Sequence, residues 1–193
     1  MEYRLLLFFL CVFPDISIAQ TEFGIKAGLN VSDIVMTNYV NPDVESDLQL
    51  KTGLHAGFFL KGMVNERVGM AGEILYSDKG VNDVHLHYVT LPLLVQYEVS
   101  DKIFAEIGPE PGYLFSATSE FGNASNTYNN KVDLALDAGI FLDLPKLVMG
   151  LRYCVGLFSV RDIENTGVPQ NERVKHQNRV LQFSLGYKLW AVE

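Results

Sequence analysis

The segment FGIKAGLNVSDI, Phe23 to Ile34, decides how the rest of the chain is read. Phe23, Ile25, Ala27, Leu29 and Val31 fall on one side of an extended backbone, and Gly24, Lys26, Gly28, Asn30 and Ser32 on the other. A period of two is the signature of a β-strand with unlike faces. About ten such residues, tilted, cross the roughly 30 Å of hydrocarbon in a bilayer. A lone strand in lipid leaves its N–H and C=O groups unpaired, so only a closed barrel tolerates the arrangement.

The pattern returns along the chain. Gly53 to Met63 places Leu54, Ala56, Phe58 and Leu60 together; Val68 to Ser77 sets Val68, Met70, Ile74 and Tyr76 against Glu73. His85 to Tyr97 groups Val89, Leu91, Leu93, Val95 and Tyr97, and Lys102 to Phe115 sets Ile103, Ala105 and Ile107 against Phe104 and Glu106. Val132 to Asp143, Leu147 to Phe158 and Val180 to Trp190 complete the series. After the second, fourth and sixth strands the connections are short (Val64 to Arg67, Glu98 to Asp101, Leu144 to Lys146); after the first, third, fifth and seventh they are longer and polar, the longest being Val35 to Thr52, Ser116 to Lys131 and Ser159 to Arg179. That alternation belongs to up-and-down outer-membrane barrels, with short turns periplasmic and long loops outside. Three prolines resist the scheme: Pro92 in the fourth strand, Pro109 and Pro111 in the fifth. Proline cannot donate to a ladder and a closed barrel has no free edge, so bulges, bends or an early end to the fifth strand are expected there.

The ends and the composition agree. Arg4, the apolar run Leu5 to Phe13 and the small residues Ser17 and Ala19 before Gln20 read as a signal peptide. Cys11 lies inside the apolar run after Leu10, which is no lipobox, and Cys154 is then the one cysteine left, so no internal disulfide is expected. The net charge of −8 argues against nucleic acid as a partner. Mean hydropathy is only +0.12, low because every second strand residue is polar. The expectation is an all-β fold: an eight-stranded antiparallel up-and-down transmembrane β-barrel over residues 20–193, both termini periplasmic, preceded by a signal peptide at 1–19, in the outer membrane of a Gram-negative bacterium.

Which face points inward follows from two features. The polar face is rich in glycine (Gly24, Gly28, Gly57, Gly69, Gly139, Gly150, Gly156, Gly186), which suits a crowded lumen. The apolar face carries aromatics near strand ends: Phe23, Tyr97 and Tyr187 at the expected periplasmic rim and Tyr76 at the outer one, as aromatic girdles require. An eight-stranded barrel has an interior that side chains fill. Lys26, Glu73, Glu106, Asp137, Arg152 and Lys188 then face that interior, and isolated buried charges cost several kcal/mol each, so a hydrogen-bonded ion network plugging the lumen is expected. A wide pore is not.

Chemistry-bearing motifs are sparse. His85 and His87 share a strand face, but no carboxylate or cysteine pattern completes a metal set, and His55 and His176 look equally ordinary. Ser77, His85, Ser116 and His176 could gather at the outer rim as in lipid-modifying barrel enzymes, but no serine stands in a nucleophile context. Phe121 to Asn130 reads as a polar surface loop, its Asn123-Ala124-Ser125 matching a glycosylation sequon by letters only. No catalytic residue, metal or cofactor is assigned; membrane lipid and other envelope or secretion proteins are the expected partners. The alternatives are a lipid-modifying membrane enzyme and a soluble secreted barrel holding an apolar ligand.

The blocks GIKAGLNVS (Gly24 to Ser32), GEILYSDKG (Gly72 to Gly80), YVTLPLLVQY (Tyr88 to Tyr97), EIGPEPGYL (Glu106 to Leu114) and FSLGYKLW (Phe183 to Trp190) resemble, in that order, the PorT-like outer-membrane β-barrel family of Bacteroidetes-type bacteria. The resemblance takes in most of the chain, including Pro92 and Pro109. It implies an outer-membrane barrel of about eight strands and a family whose namesake is associated with protein export across the outer membrane, with no catalytic motif inherited. The ending Ala191-Val192-Glu193 departs from an aromatic terminus, and Trp190 is expected to serve in its place.

Overall fold

The computed structural model describes residues 19–37, 50–81, 83–119, 122–124, 128, 130–159 and 175–191. The expected signal peptide lies, but for Ala19, outside the described residues, as does most of the first and the last long loop.

Alternating polarity forms strands throughout: β1 Ala19–Thr37, β2 Lys51–Met63, β3 Val68–Val81, β4 Val84–Thr90, β5 Leu93–Ser100, β6 Ile103–Ser119, β7 Gly122–Asn123, β8 Val132–Asp143, β9 Leu147–Gly156 and β10 Lys175–Ala191. β4 and β5 are two halves of one stave, both lying between β3 and β6, and β7 is a two-residue addition to β6. Of the ten strands, eight staves therefore remain. All pair antiparallel with their sequence neighbours, and β1 pairs with β10 from Phe23↔Trp190 to Thr37↔Lys175, which closes the sheet into a barrel. A 12-residue strand such as β8 rises about 40 Å. At a tilt of about 40° that matches a bilayer core of about 30 Å. The longer β1, β6 and β10 outrun it.

The strand faces are as the alternation predicts. Leu29, Leu54, Phe58, Ile74, Val95, Ile140, Met149, Phe183 and Leu185 are all exposed on the outside of the barrel, while Asn30, His55, Glu73, Asp137, Arg152 and Gln182 are buried within it. A soluble barrel around an apolar ligand would need the reverse.

Two boundaries differ from expectation. β6 runs unbroken through Pro109 and Pro111 to Ser119, and the irregularity falls in its neighbour, where the stave breaks at Leu91 and Pro92. Between the pairs Thr90↔Gly112 and Val95↔Ile107 the regular ladder lapses, because prolines on both sides remove donors. Leu91 N, donating to the Pro111 carbonyl (2.8 Å), bridges this gap to β6, and on the other edge of the stave Glu73 N of β3 donates to the Pro92 carbonyl (3.0 Å). The connection after β3, expected to be long, is short, since β3 and β4 extend to the pair Val81↔Val84.

Candidate functional site

The inward side chains form layers. At the end of the barrel that carries the short turns, Lys61 and Lys188 alternate with Glu22 and Asp143. Lys188 Nζ reaches Glu22 Oε1 (2.8 Å) and Asp143 Oδ1 (2.6 Å); Lys61 Nζ reaches Glu22 Oε2 (2.9 Å) and also pairs with Asp143. Above this ring lies an apolar layer of Phe59, Phe104, Phe141 and Val148. Phe104 and Phe141 stack with centroids 5.1 Å apart, and Lys61 Nζ sits 5.5 Å from the Phe141 ring centre. This distance suits a cation–π contact.

The third layer centres on Arg152. Its Nη1 and Nη2 donate to the two oxygens of Glu73, each at 3.0 Å, and its Nε donates to Glu106 Oε1 at 2.7 Å. The planar guanidinium is suited to such a fork. Lys26, from β1, also pairs with Glu73, and Gln96 Nε2 donates to Glu106 (3.3 Å). A cavity of about 20 Å³ lies here, bounded by Glu73, Glu106, Gln96 and Arg152, room for one water.

The fourth layer is polar and largely neutral on one side. His55 Nδ1 lies 2.8 Å from Asn30 Oδ1 and its Nε2 3.1 Å from Ser184 Oγ. Asn30 Nδ2 donates to Ser77 Oγ and to the Asp78 carbonyl, both at 2.9 Å. Gly28 makes room for the imidazole, because a Cβ there would come within 2.7 Å of His55 Cε1. On the other side Lys79 Nζ pairs with Glu110 Oε1 at 2.6 Å and lies 5.3 Å from the Tyr88 ring centre, while Asn178 Nδ2 donates to Asp133 Oδ2 at 2.9 Å. Glu110, Asp137 and Cys154 meet nearby, a set whose atom types could hold a metal. A second apolar layer, Ile34, Leu86, Tyr88, Leu114 and Ala117 with Tyr128 and Ala124 against it, closes the end of the long connections.

Of the six charged residues read from the sequence, Lys26, Glu73, Glu106 and Arg152 therefore meet directly. Asp137 stands one step off, its Oδ2 3.8 Å from Arg152 Nη1. Lys188 belongs to the separate ring beyond the phenylalanines. His55 is no rim residue: it is buried to 1% exposure as a lumen hydrogen-bond node. Lys79, Glu110, Lys61, Glu22 and the two apolar layers escaped the sequence reading. Alternation assigns Phe59, Phe104 and Phe141 to the inward face, but their apolar character masks the fact.

At the rim, His85 and His87 stack with centroids 5.9 Å apart. Asp78 Oδ2 accepts from His85 (2.9 Å), but its Oδ1 is already held by Lys51 Nζ (2.6 Å); His87 instead meets the Tyr76 hydroxyl (2.8 Å). Ser77 is buried against Asn30, away from the exposed His85; the His176 side chain lies outside the described residues, as does Ser125 of the sequon. Phe23, Tyr97, Tyr187 and Trp190 are exposed toward the short-turn end, Phe23 stacking on Phe58 at 6.0 Å, and Tyr76 is exposed at the other.

Comparison with known proteins places this arrangement. No curated protein matches the sequence. Among solved structures, the attachment invasion locus protein Ail of Yersinia pestis aligns with a TM-score of 0.50 at 14% identity, over 89% of this chain and 100% of Ail. Neisserial surface protein A aligns at 0.53 and 9% identity, over 89% and 99%. At those identities they share the fold. The family model described as "Outer membrane protein beta-barrel domain" matches residues 18–162, most of the wall of the barrel. The chain belongs to that outer-membrane β-barrel family, and its place is the outer membrane of a Gram-negative bacterium.

Proposed function

We propose that this protein is a sealed, non-catalytic member of the family, close to the PorT-like group, that serves a structural, binding or secretion-accessory role through the segments joining β1 to β2, β6 to β8 and β9 to β10. In this reading the short turns and both termini are periplasmic and residues 1–19 are removed as a leader. Phe23, Tyr97, Tyr187 and Trp190 form one interfacial girdle and Tyr76 the other. The observation that carries the proposal is the stack of filled layers: an ion ring, phenylalanines, the Arg152 network, a polar layer and an apolar cap stand in series along the axis. A solute would have to displace all five. What remains for partners is the surface beyond the membrane.

The test is conductance of the purified, refolded barrel in planar bilayers. Absence of porin-sized steps supports a sealed lumen; stable open steps in a sample that shows the folded band on an unboiled gel refute it. Lipid A composition unchanged by Ser77→Ala and His85→Ala supports the non-catalytic half. Loss of a lipid modification in either strain, with the barrel still folded, refutes that half.

A further inference from the structure

Glu110 on β6, Asp137 on β8 and Cys154 on β9 come from three adjacent staves and point into the same part of the lumen. Asp137 and Cys154 are direct cross-strand partners, and Glu110 lies one inward position along from Gly108, the partner of Asp137. One carboxylate oxygen from each acid and the Cys154 sulfur lie within 4.8 Å of one another. All three residues are at most 1% exposed.

The acids are left short of partners. Glu110 gives Oε1 to Lys79, but among the described residues its Oε2 has no hydrogen-bond partner and neither oxygen of Asp137 has one, while the Cys154 sulfur lies beside them. Buried carboxylate oxygens normally accept several hydrogen bonds, so these sites are conspicuous. The charge of the surrounding layers points the same way. Lys26 and Arg152 are taken by Glu73 and Glu106, and Lys79 is taken by Glu110. Among the described residues, Asp133 receives only an amide from Asn178, and Asp137 has only the distant edge of Arg152 as a cation. Among the described residues, the buried carboxylates of these layers therefore outnumber the buried cations.

We propose that this cluster binds one divalent metal ion of the zinc class, with Asp137, Glu110 and Cys154 as its protein ligands. The mixed oxygen and sulfur donor set favours a borderline ion over calcium or magnesium, which take oxygen alone. Binding at about 2.0–2.3 Å draws the ligand atoms together by a small movement of three side chains on rigid strands. The Cys154 sulfur forms a bond to the metal as its thiol proton leaves to solvent. Lys79 and Arg152 keep their contacts to the ligating carboxylates and fix their orientation, as outer partners of metal ligands do. Two apolar layers close the lumen at either end, so the ion enters while the barrel assembles and is then held.

The test uses the barrel refolded into detergent in the presence of cadmium ions, which report a bound thiolate by ultraviolet charge-transfer absorption. A His85→Ala/His87→Ala background removes the exposed imidazoles from the measurement. After chelator and gel filtration, a folded sample is expected to retain about one cadmium per chain together with the absorption band. Cys154→Ser is expected to lose the band, and Asp137→Asn to lower retention at least about tenfold. No retained metal in the folded parent barrel overturns the proposal, whether or not the variants fold. So does equal retention by a folded Asp137→Asn. A rise in stability of Asp137→Asn with no metal in the parent identifies a carboxyl that is kept protonated instead. Bilayer conductance does not bear on this result, so the sealed lumen and the metal site fail separately.

Discussion

At the scale of single residues, Arg152 holds the lumen together. It satisfies both oxygens of Glu73 and one of Glu106, so Arg152→Met leaves two carboxylates buried with only Lys26 and Gln96 for company. The expected loss is about 3–5 kcal/mol of unfolding free energy. Denaturant titration of the refolded barrel, followed by the fluorescence of the single tryptophan, Trp190, measures it. Adding Glu73→Gln to Arg152→Met is expected to recover part of that loss; no recovery would show that packing, not charge, is at stake. The sequence made it clear that Arg152 and Glu73 point inward, because a period of two fixes the face of each residue. Which inward residue meets which was legible only in part. Partners such as Lys79 and Glu110 lie on strands whose relative stagger no local pattern records. The segment Asp78-Lys79-Gly80-Val81 also reads as a loop by composition, although it continues β3.

At the scale of elements, the stave made of β4 and β5 and its neighbour β6 form the least regular seam of the wall. The carbonyl of Leu93 approaches the Cα of Gly108 so closely that any Cβ there would collide with it and come within 3.0 Å of Leu94 Cα. Gly108→Val is therefore expected to abolish the heat-modifiable folded band, whereas Gly72→Ala, with only the Leu93 side chain near at 3.9 Å, is expected to retain it. Hydrogen exchange is the second measure. Amides of Leu93 and Leu94 are expected to exchange faster than those at the centre of β1 and β10, which are paired without interruption from Gly24 to Thr37. The prolines announced an irregularity in the sequence. The break falls at Pro92, one of the three positions they marked; that β6 would run on through Pro109 and Pro111 could not be read there, because the effect of a missing donor depends on register.

At the scale of the whole molecule, an apolar exterior is fitted to lipid and the interior is filled by side chains. Trp190, exposed near the short-turn end, is expected to be quenched best by lipids brominated near the headgroup and least by those brominated near the chain end. The opposite order would place that rim in the bilayer centre and refute the girdle. The eight staves, their order and their faces could be read from alternation alone, since a barrel wall repeats one simple rule. The layers within could not, since phenylalanines turned inward obey no polarity rule. The ring of Glu22, Lys61, Asp143 and Lys188 has one more consequence. Glu22 lies on β1 and Lys188 on β10, so a chain that stops before β10 cannot complete it. A product stalled there is left with ionised groups facing nothing, and β10 is the strand that fastens the latch.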